Sequence, residues 1–273
     1  MQDTWEQLRY WTASLAIIVA AGMTFGPIGI VVLSGVVSLQ AMREYLTLTH
    51  TRRGDHWALL TAFFVVLPFQ YILIGIDWYG MSAIMIPVYA FLGLPIVSVL
   101  RGDTTRFMER IAEVQWGLMT CVYCISYVPA LLMIKIEAYD GRELYLIVFL
   151  VVAVQGAALV YSAIPASLKR QGTRRNIGWE TGITALAGAL IGIALSSLTP
   201  FTIAQACALG TLVAGLGMAG SLVLEAVKRD RNVEHWRRPA SADDGTRGFL
   251  DQLERIIFAS PVFFHLVRYW WAI

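Results

Sequence analysis

The stretch LYLIVFLVVAVQGAALVYSAI, residues 144–164, decides the fold class of this chain. It contains no charged residue, and a helix needs about 20 mainly apolar residues to cross the hydrocarbon core of a bilayer. The rest of the chain has the same character. Of its 273 residues, 57% are apolar and 15% are charged, whereas soluble domains average about 45–50% and about 25%. The composition excludes a large soluble domain and indicates an integral membrane protein.

Eight further apolar segments lie on either side of this stretch. The predicted spans are residues 10–23, 28–39, 57–76, 81–100, 111–134, 144–164, 182–198, 203–227 and 256–271. A second apolar segment follows the first after only Phe25-Gly26-Pro27, so we interpret the first as a retained span and not as a cleaved signal peptide. The sequence therefore predicts an all-α membrane protein with about nine transmembrane helices. We expect one membrane domain, 1–273, with N-terminal helices in 1–135 and a second half in 136–273.

The positions of the basic residues predict the orientation, because loops rich in Lys and Arg stay in the cytoplasm. With a cytoplasmic N-terminus, every Lys and Arg except Lys135, Arg142 and Arg268 falls on the inner side. Two cytoplasmic loops, 167–180 and 228–255, concentrate charge in the C-terminal half. We expect polar chemistry there, at the inner face of a bacterial cytoplasmic membrane. The alternative is that these basic loops only set the topology and contact anionic lipid headgroups.

Several short motifs favour helix packing over chemistry. Cys121-x-x-Cys124 has the spacing of a redox motif, but it lies in an apolar span with no βαβ pattern around it. Gly188-x-x-x-Gly192 is typical of closely packed membrane helices, and more glycines follow in the next span, at Gly210, Gly215, Gly217 and Gly220. Glu113 lies inside the fifth predicted span, where it is either a functional carboxylate or a group that reaches the interface.

The end of the chain carries a family resemblance. The run GSLVLEAVKRD at 220–230, a polar segment and GTRGFLDQLERIIFASPVFF at 245–264 resemble the C-terminal signature of CDP-diacylglycerol synthases, also called phosphatidate cytidylyltransferases. Arg9, Glu44-Tyr45-Leu46 and Gly178-Trp179-Glu180 match weaker features of that family in the same order. The resemblance therefore extends over nearly the whole chain.

The resemblance implies a nucleotidyl transfer in phospholipid biosynthesis, in which phosphatidate attacks the α-phosphorus of CTP to give CDP-diacylglycerol and pyrophosphate. It implies Mg²⁺ held by carboxylates, with Lys and Arg side chains on the phosphates. The residues that it marks as catalytic are Asp251, Lys228 and Arg229. Those that it marks for substrate binding are Lys228, Arg229, Gly248 and Glu180, and the candidate metal ligands are Asp251, Asp244 and Glu225. The partners are phosphatidate or a related phospholipid, CTP and membrane lipids. A homodimer is left open, and we expect no nucleic acid.

The chain departs from the signature at polar positions. Ser221 and Gly156 stand where active members have acidic residues, and His235 replaces the aspartate of a Lys-Asp pair. These changes remove most of the carboxylates expected to bind metal and argue against catalysis. The remaining acids and a histidine could rebuild a metal site from Asp243, Asp244, Glu225 and His235. Asp243-Asp244 before Gly245 also fits a solvated turn.

Two functions of different class stay open. The first is an enzyme that makes CDP-diacylglycerol or a related cytidylyl or phosphoryl product. The second is a catalytically silent paralogue that binds lipid or nucleotide or supports a partner lipid enzyme in the membrane. A transporter is favoured only by the number of spans, since no internal repeat is evident.

Overall fold

The computed structural model describes residues 2–49, 55–100, 104–137, 139–164, 177–233, 235–236 and 248–272. These residues form helices and no strand, apart from one isolated bridge between Ile136 and Ala272, so the predicted all-α class is confirmed. The helices of this part of the chain are α1 (Gln2–Thr47), α2 (His56–Gly75), α3 (Tyr79–Val99), α4 (Phe107–Met133), α5 (Leu144–Ala163), α6 (Ile177–Leu195), α7 (Ile203–Asp230) and α8 (Phe249–Trp271). Three of them contain a π-helical turn, at Ala62–Val66 in α2, Met85–Ala90 in α3 and Met119–Cys124 in α4.

Within the described residues, seven helices, α1 to α7, are long and apolar enough to cross a membrane. The predicted count of nine is not confirmed. The first two predicted spans both lie in α1, and the ninth lies in α8, which is not among the seven. The first two turns of α8 carry Asp251, Glu254 and Arg255, and charged groups are costly in hydrocarbon.

Helix α1 is interrupted once. Gly26 has φ 65° and ψ −160°, a backbone conformation that is essentially restricted to glycine, and Pro27 follows it. A straight helix of 46 residues would be about 69 Å long, more than twice the hydrocarbon thickness of about 30 Å. The interruption divides α1 into residues 2–25 and 27–47, each close to the length of one crossing.

The chain divides into two compact units. Unit 1 contains Met1–Thr24, Ile134–Glu225 and Glu254–Ile273, and unit 2 contains Phe25–Met133 and Ala226–Leu253. Unit 1 therefore draws residues from both halves of the predicted single domain. That domain, with halves meeting at residue 135, stays a prediction.

Helices α6 and α7 pack closely in unit 1. A Cβ atom at Gly188 or Gly192 would overlap backbone oxygens of α7, and one at Gly210 would overlap the carbonyl oxygen of Gly188. This contact confirms the packing interpretation of the glycine motif. The packing interpretation also holds for Gly217 and Gly220, which have close neighbours. Gly215 differs, because no atom lies within 4 Å of its Cβ position.

Polar contacts join α2, α3 and α4 in unit 2. Asp55, just before α2, accepts a hydrogen bond from Nε of Arg110 in α4 at 3.0 Å, and both side chains are buried. Nε2 of Gln70 donates to the Ser82 carbonyl oxygen and to the Ser126 hydroxyl. These contacts hold α4, which carries part of the site described next, against α2 and α3.

The CxxC motif lies in the same helix bundle. Cys121 is fully buried and Cys124 half-buried, and both lie within the π-helical turn of α4 without a disulfide bond. Cys121 thus packs in the core of unit 2, as the packing interpretation expected.

Candidate functional site

The carboxylate of Asp251 lies at the centre of a polar cluster in unit 2. Asp251 is the third residue of α8, and its Oδ2 accepts the backbone N–H of Gly248 at 2.7 Å. This is the reciprocal half of a capping box, in which an acidic side chain in the first turn satisfies the N–H just before the helix. Oδ2 also accepts the backbone N–H of Trp236 at 3.1 Å, and Oδ1 accepts Nζ of Lys228 at 2.8 Å. The side chain of Asp251 is 5% exposed, so these are buried contacts.

The start of α8 is also capped from a distant part of the chain. Glu44, near the end of α1, accepts the backbone N–H of Phe249 with Oε1 at 2.9 Å and that of Leu250 with Oε2 at 2.7 Å. The first N–H groups of a helix have no partner within the helix. Glu44 and Asp251 together satisfy three successive ones, and a negative charge is favourable at this helix end.

A second buried ion pair holds the chain just after α7. Nη2 of Arg231 donates to Oε1 of Glu113 at 2.6 Å, and the two side chains are 17% and 9% exposed. The hydrogen bond to Glu113 raises the pKa of Arg231 above its ordinary value. Glu113 is thus nearly buried and paired with an arginine, and its two interpretations stay predictions.

An aromatic contact covers the cluster. The ring centroids of Tyr45 and Trp236 lie 5.7 Å apart, and Trp236 is 1% exposed. Gly117 allows Tyr45 to approach α4, since a Cβ at Gly117 would come within 2.7 Å of the Tyr45 ring. Gly117 and Glu113 are four residues apart and so share one face of α4. Tyr45 and this face of α4 therefore hold Trp236 and Arg231, two of the described residues between α7 and α8.

The structure brings together some of the predicted site residues. Lys228, Asp251 and Gly248 meet in the cluster, and Arg229 follows Lys228 at the exposed end of α7. Glu225 and Glu180 belong to unit 1 and are half-buried, in α7 and in the first turn of α6. The remaining candidate, Asp244, lies outside the described residues, as does Asp243. Nδ1 of His235 lies 3.9 Å from Oδ2 of Asp251.

Sequence reasoning missed Glu44 and Glu113 as parts of this site. Glu44 was noted only as a family feature and Glu113 only as an acid within a span. The signal that could have found them is charge balance, because a carboxylate at the end of an apolar helix needs a donor or a cation when it is buried.

The described carboxylates do not fit a magnesium site as they stand. Mg²⁺ takes six oxygen ligands at about 2.0–2.1 Å in octahedral geometry. The oxygens of Asp251, Glu44 and Glu113 instead accept protein N–H groups. Asp251 accepts the cation Lys228, and Glu113 accepts the cation Arg231. No group of three or more His, Cys, Asp or Glu residues within the described part of the chain is placed to hold a metal ion. Mg²⁺ therefore stays a prediction, with Asp244 outside the residues that can test it.

The sequence is similar to known proteins over most of its length. The family described as "Cytidylyltransferase family" matches residues 7–159, which run from α1 into α5 and include Glu44 and Glu113. Over 242 residues the chain is 29% identical to the uncharacterized protein YnbB of Escherichia coli (strain K12), covering 86% of this chain and 77% of YnbB. The family match covers more than half of the chain and ends before the cluster residues Lys228 and Asp251, which match the C-terminal signature by resemblance. This helical membrane protein belongs to the cytidylyltransferase family, the family of the CDP-diacylglycerol synthases.

Proposed function

We propose that this protein binds phosphatidate, or a related phospholipid, and CTP through the phosphates at Lys228 and Arg229. We further propose that it transfers the cytidylyl group at least about 10³-fold more slowly than a family member with the full signature. The observation that supports this proposal is the state of Asp251. This retained acid of the signature accepts Lys228 and two backbone N–H groups, and so does not present a free carboxylate to a metal ion.

The chemistry explains why the rate would fall. Joining two phosphate-bearing substrates concentrates negative charge, and divalent metal ions stabilise the transferring group by several kcal/mol. Each 1.36 kcal/mol of lost stabilisation is about tenfold in rate. Gly156, Ser221 and His235 stand where the resemblance places acids in active members, so none of these three positions offers a carboxylate in place of Asp251.

Phosphate binding needs less than catalysis. Lys228 and Arg229 end an apolar helix of 28 residues, a position in which cations are favoured by the helix dipole and lie near lipid headgroups. The Lys228 ammonium donates to Asp251 Oδ1 and carries the positive charge that attracts a phosphate group. A lipid phosphate and a nucleotide phosphate present the same oxygens, so one basic pair can serve both ligands.

This proposal includes the topology. The two segments of α1 cross the membrane once each, α2 to α7 cross once each, and α8 makes the ninth crossing, with the N-terminus in the cytoplasm. The site then faces the cytoplasm, where CTP is found, in the inner membrane of a bacterium.

Ligand binding by purified protein in nanodiscs tests the first half of the proposal. The double variant Lys228→Ala, Arg229→Ala should weaken binding of CTP and of phosphatidate by more than about tenfold, the loss expected for two charge-assisted contacts. Lys135→Ala removes an exposed Lys in unit 1 and is the matched control, for which we expect no change. If the double variant binds both ligands as well as wild type, Lys228 and Arg229 are topology signals only.

Turnover tests the second half. Wild-type protein given phosphatidate, CTP and Mg²⁺ should form CDP-diacylglycerol at least about 10³-fold more slowly than an enzyme with the full signature assayed in parallel. Release of pyrophosphate and formation of the lipid product are measured together, so that CTP hydrolysis is not counted as transfer.

Retained transferase activity is the second candidate function. It is favoured by the sequence around the site, in which Asp243-Asp244 fall between the intact Lys228-Arg229 and Asp251. Rapid, Mg²⁺-dependent synthesis by wild type, abolished by Asp244→Asn or by Asp251→Asn, would replace the first proposal with this one.

A further inference from the structure

We propose that Glu44 is a positioning residue for Lys228. It holds the first turn of α8 so that Asp251 keeps the Lys228 ammonium in one place, ready for a phosphate group. This inference rests on the proposed function and names a residue that acts on the phosphate site without touching the phosphate.

The carboxylate of Glu44 caps α8 with both of its oxygens. Both oxygens of Glu44 are used, one on Phe249 N–H and one on Leu250 N–H, at 2.9 Å and 2.7 Å. A carboxylate bound to two successive N–H groups fixes the direction and the distance of the helix start, whereas a single contact would let it swing. Leu250 is 1% exposed, so in the intact protein its N–H is shielded from bulk water and is satisfied by Glu44.

Asp251 links the Glu44 cap to the Lys228 ammonium. Asp251 follows Leu250 directly, and its Oδ1 accepts Lys228 Nζ at 2.8 Å. A shift of α8 by about one ångström would lengthen this contact beyond a good hydrogen bond. The position of the Lys228 ammonium therefore depends on where Glu44 holds the helix.

The Glu44 cap is distinct from the contacts made by Arg231 and Trp236. Arg231 is held by Glu113 of α4, on the α7 side, and Trp236 packs on Tyr45 in the middle. The cap acts on the α8 side. Replacing Glu44 should loosen Asp251 and Lys228 while the Arg231–Glu113 pair keeps the other side in place.

Chemical labelling of lysine measures this positioning without a ligand. The chain has Lys at 135, 169 and 228, and the exposed Lys135 gives an internal reference within unit 1. Lys228 is 12% exposed and paired, so an amine-reactive acetylating reagent should modify it slowly in wild type. In Glu44→Gln the amide keeps the size but offers one acceptor oxygen, and labelling of Lys228 relative to Lys135 should rise roughly tenfold.

Glu109→Gln is the matched control. Glu109 is also a glutamate of unit 2. It lies in the first turn of α4 and forms an exposed pair with Arg106, the residue just before that helix. Its replacement should leave the labelling ratio unchanged. Equal Lys228 labelling in wild type and Glu44→Gln would overturn the positioning role.

Ligand binding then shows whether the role matters for phosphate. Glu44→Gln should weaken CTP binding several-fold in the wild-type background and have no further effect in Lys228→Ala, because Glu44 acts through Lys228. An equal loss in both backgrounds would overturn the proposal, since it would mean that Glu44 supports the fold alone. If wild type binds neither CTP nor phosphatidate, the proposed function fails, and the labelling ratio still decides whether Glu44 positions Lys228.

Discussion

The pairing of Glu113 with Arg231 joins α4 to the chain after α7 through two nearly buried charges. Removing one partner of such a pair leaves an uncompensated charge, which costs more than the pair itself contributes. We expect Glu113→Ala to lower the free energy of unfolding by about 2–4 kcal/mol. Thermal denaturation in detergent micelles, followed by circular dichroism, measures the change.

Two further variants make this test specific. Glu109→Ala breaks an exposed pair with Arg106 and should have a much smaller effect on stability, because solvent screens that pair. Adding Arg231→Ala to Glu113→Ala should restore part of the lost stability, because the double variant no longer buries an unpaired charge. Additive losses in the double variant would show that each residue acts through other contacts.

Among the individual residues of the site, the sequence marked one group. Lys228, Gly248 and Asp251 are close together in a recognisable signature, and the structure places them in contact. Glu44 could not be paired with its donors from the sequence, because Phe249 lies 205 positions away and donates through its backbone N–H. A backbone donor leaves no trace in residue type, so no motif could mark it.

The contact between α6 and α7 depends on the absence of side chains at three positions. Gly188→Val and Gly192→Val should each force the helices apart and lower the free energy of unfolding by more than about 2 kcal/mol, because the obstacle is backbone and cannot rotate away. Denaturation in detergent micelles measures this loss as well.

Glycines of the same helices that have open space provide the controls. Gly182 in α6 and Gly215 in α7 have no atom within 4 Å of a Cβ position. Substitution of either by valine should change stability by less than about 1 kcal/mol, since only helix propensity differs. If Gly182→Val and Gly188→Val destabilise equally, close packing is not what the glycines serve.

The sequence predicted most elements and marked the kink in the first one. Gly26-Pro27 is expected to separate two spans, and the structure has helix on both sides with one non-helical residue between them, so two crossings by α1 stay a prediction. Apolar periodicity cannot distinguish a connection from an interruption, because both leave the flanking residues apolar. The sequence also could not show that Gly156 faces a neighbour. A Cβ there would come within 2.9 Å of Ile191, so an aspartate restored at 156 would need Ile191 to move.

The topology of the whole chain is tested by reporter fusions. Fusions after Arg53, Arg106 and Arg175 should report the cytoplasm, and fusions after Trp78 and Tyr139 should report the outside, because the basic residues gather on one side. A reversal at any of these five positions would contradict the orientation. These five do not distinguish one crossing of α1 from two, so a tag at Gln2 completes the test. A cytoplasmic tag supports two crossings, and an external tag supports one.

The cap on α8 joins residues that are synthesised at very different times. At about 5–20 residues per second, the ribosome needs roughly 10 to 40 s to extend the chain from Glu44 to Phe249, 205 positions later. Throughout that interval the carboxylate has yet to meet the backbone groups that will satisfy it. A nascent chain released before Gly248 would keep an unmet acidic group near the end of its first helix. The cap on α8 can therefore form only after nearly the whole sequence has been synthesised.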